Sequence, residues 1–585
     1  MPRTHLFLIL LLLPLLTASA RDDAPAPVLS HTHGLYENAF TLTLSCTETS
    51  ADIVYTTDGS LPDSTSSHYS TPLSIDKTTL VRARSIMGDR YSKVVTASYL
   101  FIDNVLNQPD LPSGFPETWG SYATRQGTAK ADYGMDSKLT GDVSTATSIT
   151  DGLRQLPIVS LVTERSHFFG MEPDSEHGGI YIYTGASKDN HPGHGWERPV
   201  SFELFGGPQH FDLQSDCGAR IHGGQSRLPE KSPKHSLRLT WRQAYGEDYL
   251  HASLYGQEGP ETFHTLILRT AYNNSWLHGE ERQRKTAQYC RDLWARTVMQ
   301  HMGHPAADGI WAHLFLDGLY WGMYNVSERI DGVFCASHLG GSPEEWDVVK
   351  VEEQGEENIC VASEGDLDCW ETMLATASCA ATSDSAYYRL DGRDACGIRD
   401  TTLECLLDID NFIDYMILNQ YAGNTDWDVH NWYAIHRHGD KDEGFQFLCW
   451  DTEMIFGSKH ENVLIPKGFR KGILTELFTT LMDNARFNAR FQEHVQTLCT
   501  GEGMLTPDSV IAVWNNLYYN INHALYTESA RWGDYRCEVH PGKGRGENCT
   551  VDVTFAKERK RLLEDYFPGR TAIYLKQLRR RGWYR

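Results

Sequence analysis

The chain has 585 residues, 40% of them hydrophobic and 22% charged, with 77 acidic against 53 basic side chains and a net charge of −24. This is a globular composition, and the length calls for more than one domain, because a single core stops growing at about 250–300 residues. So acidic a chain excludes nucleic-acid binding through its bulk surface, and the lack of a second long apolar run excludes a multi-span membrane protein. In chain order, residues 1–20 read as a secretory signal peptide: Arg3 and His5, an apolar run from Leu6 to Leu16, then Ala18-Ser19-Ala20 as a cleavage site. The expected location is therefore secreted, periplasmic or cell-surface, with no transmembrane segment.

Residues 21–102 predict a small antiparallel β-sandwich. Thr41 to Leu44 alternates, Ile53-Val54-Tyr55 runs into an Asp58-Gly59 turn, and Leu80 to Arg84 and Val94 to Phe101 supply further short strands. Residues 103–155, rich in Gly, Pro, Ser, Thr and Asp, read as a connector. From Leu156 the chain is strand-rich: Leu156 to Val162, Gly179 to Tyr183, Val200 to Leu204 and Ser236 to Trp241. A helical pattern starts near Lys285, and a hairpin folds about Asp317-Gly318. Residues 351–405 are acidic and hold Cys360, Cys369, Cys379, Cys396 and Cys405, which suggests an irregular insertion stapled by disulfides. Leu406 to Gln420 is an amphipathic helix, Phe445 to Trp450 a buried strand, and the rest to Tyr574 mostly helical. Strands and helices followed by helices predict an α+β, two-lobed enzyme across 156–585.

The densest chemistry lies in Gly423-Asn424-Thr425-Asp426-Trp427-Asp428-Val429-His430-Asn431, followed by a strand and Trp450-Asp451. Asp426 and Asn431 have the Asp-x-x-x-x-Asn spacing of a kinase catalytic loop, in which the Asp accepts the hydroxyl proton and the Asn holds a metal ion. Asp451, at a strand end, can supply a second metal oxygen, and oxygen donors suit Mg2+ or Mn2+. Asp428 is the alternative base. Upstream, Gly223-Gly224 frees backbone amides for phosphate, with Arg227 and Lys234 adding charge; it is not a Walker loop. Glu328 ends an apolar strand and either pairs with Lys234, as a kinase Lys–Glu pair does, or caps the next turn.

Tyr55 to Pro62, Tyr69 and Val81-Arg82-Ala83 resemble the small β-domain at the C-terminal end of chitobiases and β-hexosaminidases, an accessory module rather than the hydrolase. From about 156 to 460 the chain resembles the spore-coat protein H (CotH) kinase family. The residues are Gly224 to Arg227, Pro233 to Ser236, Gly318 to Gly322, Glu328, Gly423 to Asp426, Asn431 to Tyr433 and Trp450 to Gly457. That resemblance implies a bilobal, atypical protein-kinase-like fold in which ATP and Mg2+ or Mn2+ serve to phosphorylate Ser or Thr of exported or surface proteins. It assigns Asp426 as catalytic base, Asn431 and Asp451 as metal ligands, and Arg227, Lys234 and Glu328 as nucleotide contacts. His222 stands where many members carry Arg, and Glu453 where Asp is common. A non-catalytic surface scaffold, its β-domain engaging polysaccharide, is the alternative function. A two-carboxylate glycosidase is the weakest reading, since nothing fixes an acid and a nucleophile at the required separation. His436 and His438 alternate without a His-Glu-x-x-His motif, so no zinc site is expected.

Overall fold

The computed structural model describes residues 24–122, 126–172, 174, 176–183, 196–256, 259–354, 357–439, 443–465, 472–539 and 547–585. The predicted signal peptide lies outside them. An N-terminal β-rich region precedes a mixed α/β region. In the first, Gly34–Tyr36, Asp52–Thr56, Ser67–His68, Thr79–Met87, Arg90–Tyr91 and Val95–Phe101 share one sheet. Leu42, Ile75, Val81, Ala83 and Tyr99 form its core. The expectation of a purely antiparallel module needs correcting, because Val95–Phe101 pairs with Gly34–Tyr36 in parallel, Tyr99 opposite Gly34. The long stretch between them supplies the crossover that a parallel pair requires.

A closed barrel of seven strands follows: β1 (Pro157–Val162), β2 (Arg198–Gly206), β3 (Phe211–His222), β4 (Ser236–Thr240), β5 (Thr265–Arg269), β6 (Gly309–Leu316) and β7 (Leu319–Glu328). Their order is β1-β2-β3-β4-β5-β7-β6, with β6 returning parallel to β1. Val159, Phe202, Leu237, Leu239, Leu266 and Leu314 fill it. Ile180–Tyr183, read as strand, is a single helical turn instead. Of the connector, Trp119, Ala129 and Tyr133 join the barrel core, and helix α1 (Val143–Gln155) starts at Asp142, whose carboxylate accepts the Thr145 amide.

The second sheet has the order β9-β8-β10-β11, from β8 (Trp346–Gln354), β9 (Glu357–Glu364), β10 (Trp432–Arg437) and β11 (Gln446–Cys449). Around it lie α2 (Arg291–His301), α3 (Gly332–Leu339), α4 (Asp368–Ala380), α5 (Asp384–Leu390), α6 (Ile409–Ala422), α7 (Ile473–Met482), α8 (Ala485–Cys499), α9 (Pro507–Tyr519), α10 (Ala524–Trp532) and α11 (Phe567–Arg581).

Residues 351–405 are therefore not an irregular insertion. They give part of β8, then β9, α4 and α5, and their Trp370, Met373, Ala377, Ala380 and Leu390 enter the largest core. That stripe has helical spacing, which the acidic residues between its members hide from a reading of composition. The expected disulfide framework is not seen among the described residues: all thirteen cysteines are free thiols, six of the eight outside the 351–405 cluster lying buried beside apolar neighbours.

Candidate active site

Helix α6 is held at its start by Asp408, which accepts the Asn411 amide, and stopped by Gly423 in the left-handed conformation (φ 67°). The next residues fold back on themselves. Asn424 Oδ1 accepts the Asp426 N–H at 3.2 Å, and its Nδ2 donates to Asn419 Oδ1 at 3.0 Å. Asn431 is also left-handed (φ 66°), a conformation Asn tolerates better than branched residues do. Its Nδ2 donates to the Asp426 carbonyl at 2.9 Å and to Asp426 Oδ2 at 3.2 Å. His430 Nε2 lies 3.2 Å from Asp426 Oδ1. The Asp426 side chain stays 38% exposed, so it can meet a substrate. Asp428, by contrast, is fully buried and accepts the amides of Gly472, Leu474 and Thr475 at 3.1, 3.0 and 2.9 Å. It anchors the start of α7.

Asp451 follows β11 at φ 55° and pairs with Arg269 at the end of β5. Arg269 also faces Asp292 of α2 at 3.7 Å and Glu453 at 3.6 Å, and it lies over the Trp450 ring, 4.4 Å from its centre. Asp292 accepts the Thr452 amide at 2.9 Å, and Glu453 the Asn273 amide at 2.7 Å. Desolvation, then the neighbouring Asp292 and Asp426, push the Asp451 carboxyl upward against the pull of Arg269. Asp426, Asn431 and Asp451 are thus brought together, the first two in contact and the third within electrostatic reach. The set is short of positive charge and made of hard oxygen donors, which fits a divalent cation such as Mg2+ or Mn2+. Asn431 commits its amide nitrogen to Asp426, so its Oδ1 is the atom suited to a metal.

The barrel contributes charge of the other sign. Arg220 of β3 and Arg238 of β4 are directly opposite each other, and His222 faces Ser236. Their neighbours Ile221, Leu237 and Leu239 point into the barrel core, so the arginines lie on its outer face. Ile267, opposite Arg238 on β5, packs with Val348, Ile435, Leu448 and Trp450 of the second-sheet region. Two residues on, Arg269 meets Asp451. This outer face is therefore turned toward the second sheet. Burial, then Arg329 and Arg220, push the Arg238 guanidinium down to about 9. Burial and four surrounding arginines hold His222 neutral. Among the described residues no carboxylate forms an ion pair with Arg220, Arg238 or Arg329. Like charges opposed across a ladder destabilise it unless an anion sits between them.

Lys234 is fully buried, and its partner is Glu528 of α10 at 2.6 Å, not Glu328. Its Nζ also donates to the Met323 carbonyl at 2.7 Å. Glu328 lies five residues beyond Met323 along β7, roughly 17 Å away at 3.3 Å per residue. It binds His338 of α3 at 3.0 Å and accepts the Asp308 amide at 2.8 Å. Gly322 (φ 111°) makes the Lys234–Glu528 pair possible: a Cβ there would come within 2.6 Å of Glu528 Oε2 and 3.0 Å of Lys234 Nζ. Arg227 is buried on a single 3-10 turn, Gln225–Arg227, between β3 and β4. Sequence reasoning missed Arg220, Arg238, Arg269, Asp292, Arg329 and Glu528. The signal for Arg220 and Arg238 was an arginine set between apolar residues on β3 and β4; nothing local marked the others.

A family model described as CotH kinase protein matches residues 219–564, more than half of the chain. One described as chitobiase/beta-hexosaminidase C-terminal domain matches residues 31–96. No curated protein matches the chain.

Proposed function

The chain belongs to the CotH kinase protein family, and from that premise we propose that it is an exported atypical protein kinase with a bilobal fold, transferring the γ-phosphoryl group of ATP to Ser or Thr hydroxyls of exported or surface proteins. The observation that carries this reading is the meeting of Asp426, Asn431 and Asp451 beside an arginine-bearing barrel face. Asp426 takes the proton of the acceptor hydroxyl as the new O–P bond forms and the bond to ADP breaks. Asn431 Oδ1 and the Asp451 carboxylate hold Mg2+ or Mn2+, which, when bound, neutralises the phosphate charge. Arg269 orients Asp451. Arg220, Arg238 and Arg329 face the phosphates, and Lys234 with Glu528 braces β7 from behind, its ammonium buried away from a ligand.

That burial of Lys234, the one lysine among the motif residues assigned to nucleotide, favours a second reading: a non-catalytic surface scaffold with a pseudokinase domain, whose β-rich module engages polysaccharide. One assay separates the two. Purified protein is incubated with labelled ATP, Mg2+ or Mn2+ and a casein-like acceptor, beside Asp426→Asn and Asp451→Asn. The kinase reading expects labelling that falls about 10²–10⁴-fold in Asp426→Asn and comparably in Asp451→Asn. Wild-type protein that neither binds nucleotide nor labels any acceptor supports the scaffold.

A further inference from the structure

A second cluster of ligating side chains lies away from the catalytic loop. Asp347, Cys369 and His436 place a carboxylate oxygen, a thiol sulfur and a ring nitrogen all within 4.8 Å of one another. Asp347 on β8 and His436 on β10 are directly opposite in the antiparallel ladder, so the sheet itself fixes their spacing. Cys369 comes from the first turn of α4. Glu404 closes the remaining side. Its Oε1 is 3.7 Å from His436 Nε2, and its two oxygens are 3.6 and 3.7 Å from Cys369 Sγ.

Two further observations point to a ligand. His436 is 1% exposed, yet neither ring nitrogen has a hydrogen-bond partner. Asp347 is fully buried and its Oδ2 is likewise unpartnered, 3.7 Å from His436 Nδ1. The other oxygen, Asp347 Oδ1, is already held by the Asp366 amide at 2.8 Å and by His438 Nε2 at 2.6 Å. One carboxylate oxygen is thus oriented and the other left open, as in a metal ligand steadied by outer hydrogen bonds. Gly365 (φ 69°) lets the loop lie directly on that carboxylate, where any Cβ would collide with Asp347.

We propose that Asp347, Cys369 and His436, with Glu404 beside them, form a zinc-class metal site. Thiolate, imidazole and carboxylate together select zinc over magnesium, in contrast to the all-oxygen set at Asp426 and Asp451. His436 is five residues beyond Asn431, roughly 17 Å along an extended strand, so the two sites are separate. Binding replaces the Cys369 thiol proton by a sulfur–metal bond, and the proton leaves to solvent. The ion would tie β8, β10, α4 and the segment holding Glu404 into one unit.

The test uses the full chain, loaded first with Zn2+ and then with Co2+. One zinc per chain is expected, and cobalt should give a near-ultraviolet thiolate-to-metal charge-transfer band that excess Mg2+ does not displace. Cys369→Ser should lose that band, and Asp347→Asn should weaken cobalt binding by about tenfold or more. Cys379→Ser, an exposed cysteine on the same helix, and Asp451→Asn, beyond the end of β11, should both keep the band. Absence of the band in wild type, its survival in Cys369→Ser, its loss in either control, or its displacement by Mg2+ overturns the proposal.

Discussion

Arg238 faces Arg220 across the ladder with Arg329 nearby, and its guanidinium is pushed down to about 9 by burial and by those two neighbours. Removing that charge should act in opposite directions on two measurements. Arg238→Gln should stabilise the nucleotide-free protein by about 0.5 kcal/mol, the scale of an opposed like-charge pair. It should also weaken ATP binding by about tenfold or more, the loss of one charge-assisted hydrogen bond. Thermal melts and titration calorimetry read the two effects, and a variant that binds ATP as wild type does removes Arg238 from the site. At this scale the sequence discloses the acidic half of the site better than the basic half. Asp426 and Asn431 are close in the chain and held by local backbone turns, so their spacing is visible. The partner of Lys234 lies 294 residues downstream, and no local pattern announces it.

Helix α6 delivers the catalytic loop, and α8 clamps it in place. Arg490 grips Asp410 through two bonds, 2.6 and 2.7 Å long. His494 reaches Asp410 at 2.9 Å and Asp414 at 2.6 Å. Burial alone would lower the imidazole, but the two carboxylates outweigh it and raise it from 6.5 to about 9. A raised histidine gives stability that is fully present below 6.5 and lost as pH climbs through 9. Between pH 6.5 and 9.5 the wild type should therefore lose about 3 kcal/mol more than His494→Gln. Denaturant titrations across that range measure it, and parallel curves for the two proteins would show that the clamp contributes nothing. The helices of this layer were partly legible. The α6 stripe is plain, because its apolar residues outnumber the polar ones. In α4 the same periodicity is present, but acidic residues and cysteines interrupt it and direct attention to the wrong chemistry.

At the scale of the whole molecule, the β-rich N-terminal region is bolted to the barrel through Glu203 of β2. That carboxylate is fully buried, and its partners come from the N-terminal region: the Ser98 amide at 3.0 Å, the Ser98 hydroxyl, and His33 Nδ1 at 2.9 Å. Around it Leu100, Ile102 and Val105 pack on Ile158, Phe205 and Phe315. A chain lacking residues 24–101 would strip Glu203 of these partners and expose the apolar face around it. It should melt well below the full-length protein or aggregate. An isolated barrel-plus-helices fragment as stable as the parent chain, by calorimetry, is the result that contradicts this. The sequence outlined both regions by strand length and turn residues but could not show the joint, since Glu203 reads as one more polar position on an alternating strand.

The joint also restricts geography. The small sheet packs directly on the barrel through Ser98, His33 and Leu100, with no slack tether between them. Under the proposed function, whatever that sheet gripped would become a fixed origin, and only hydroxyls lying one set stride from it would come within reach of Asp426. Choice of acceptor would then follow distance from an anchorage more than the amino acids flanking it.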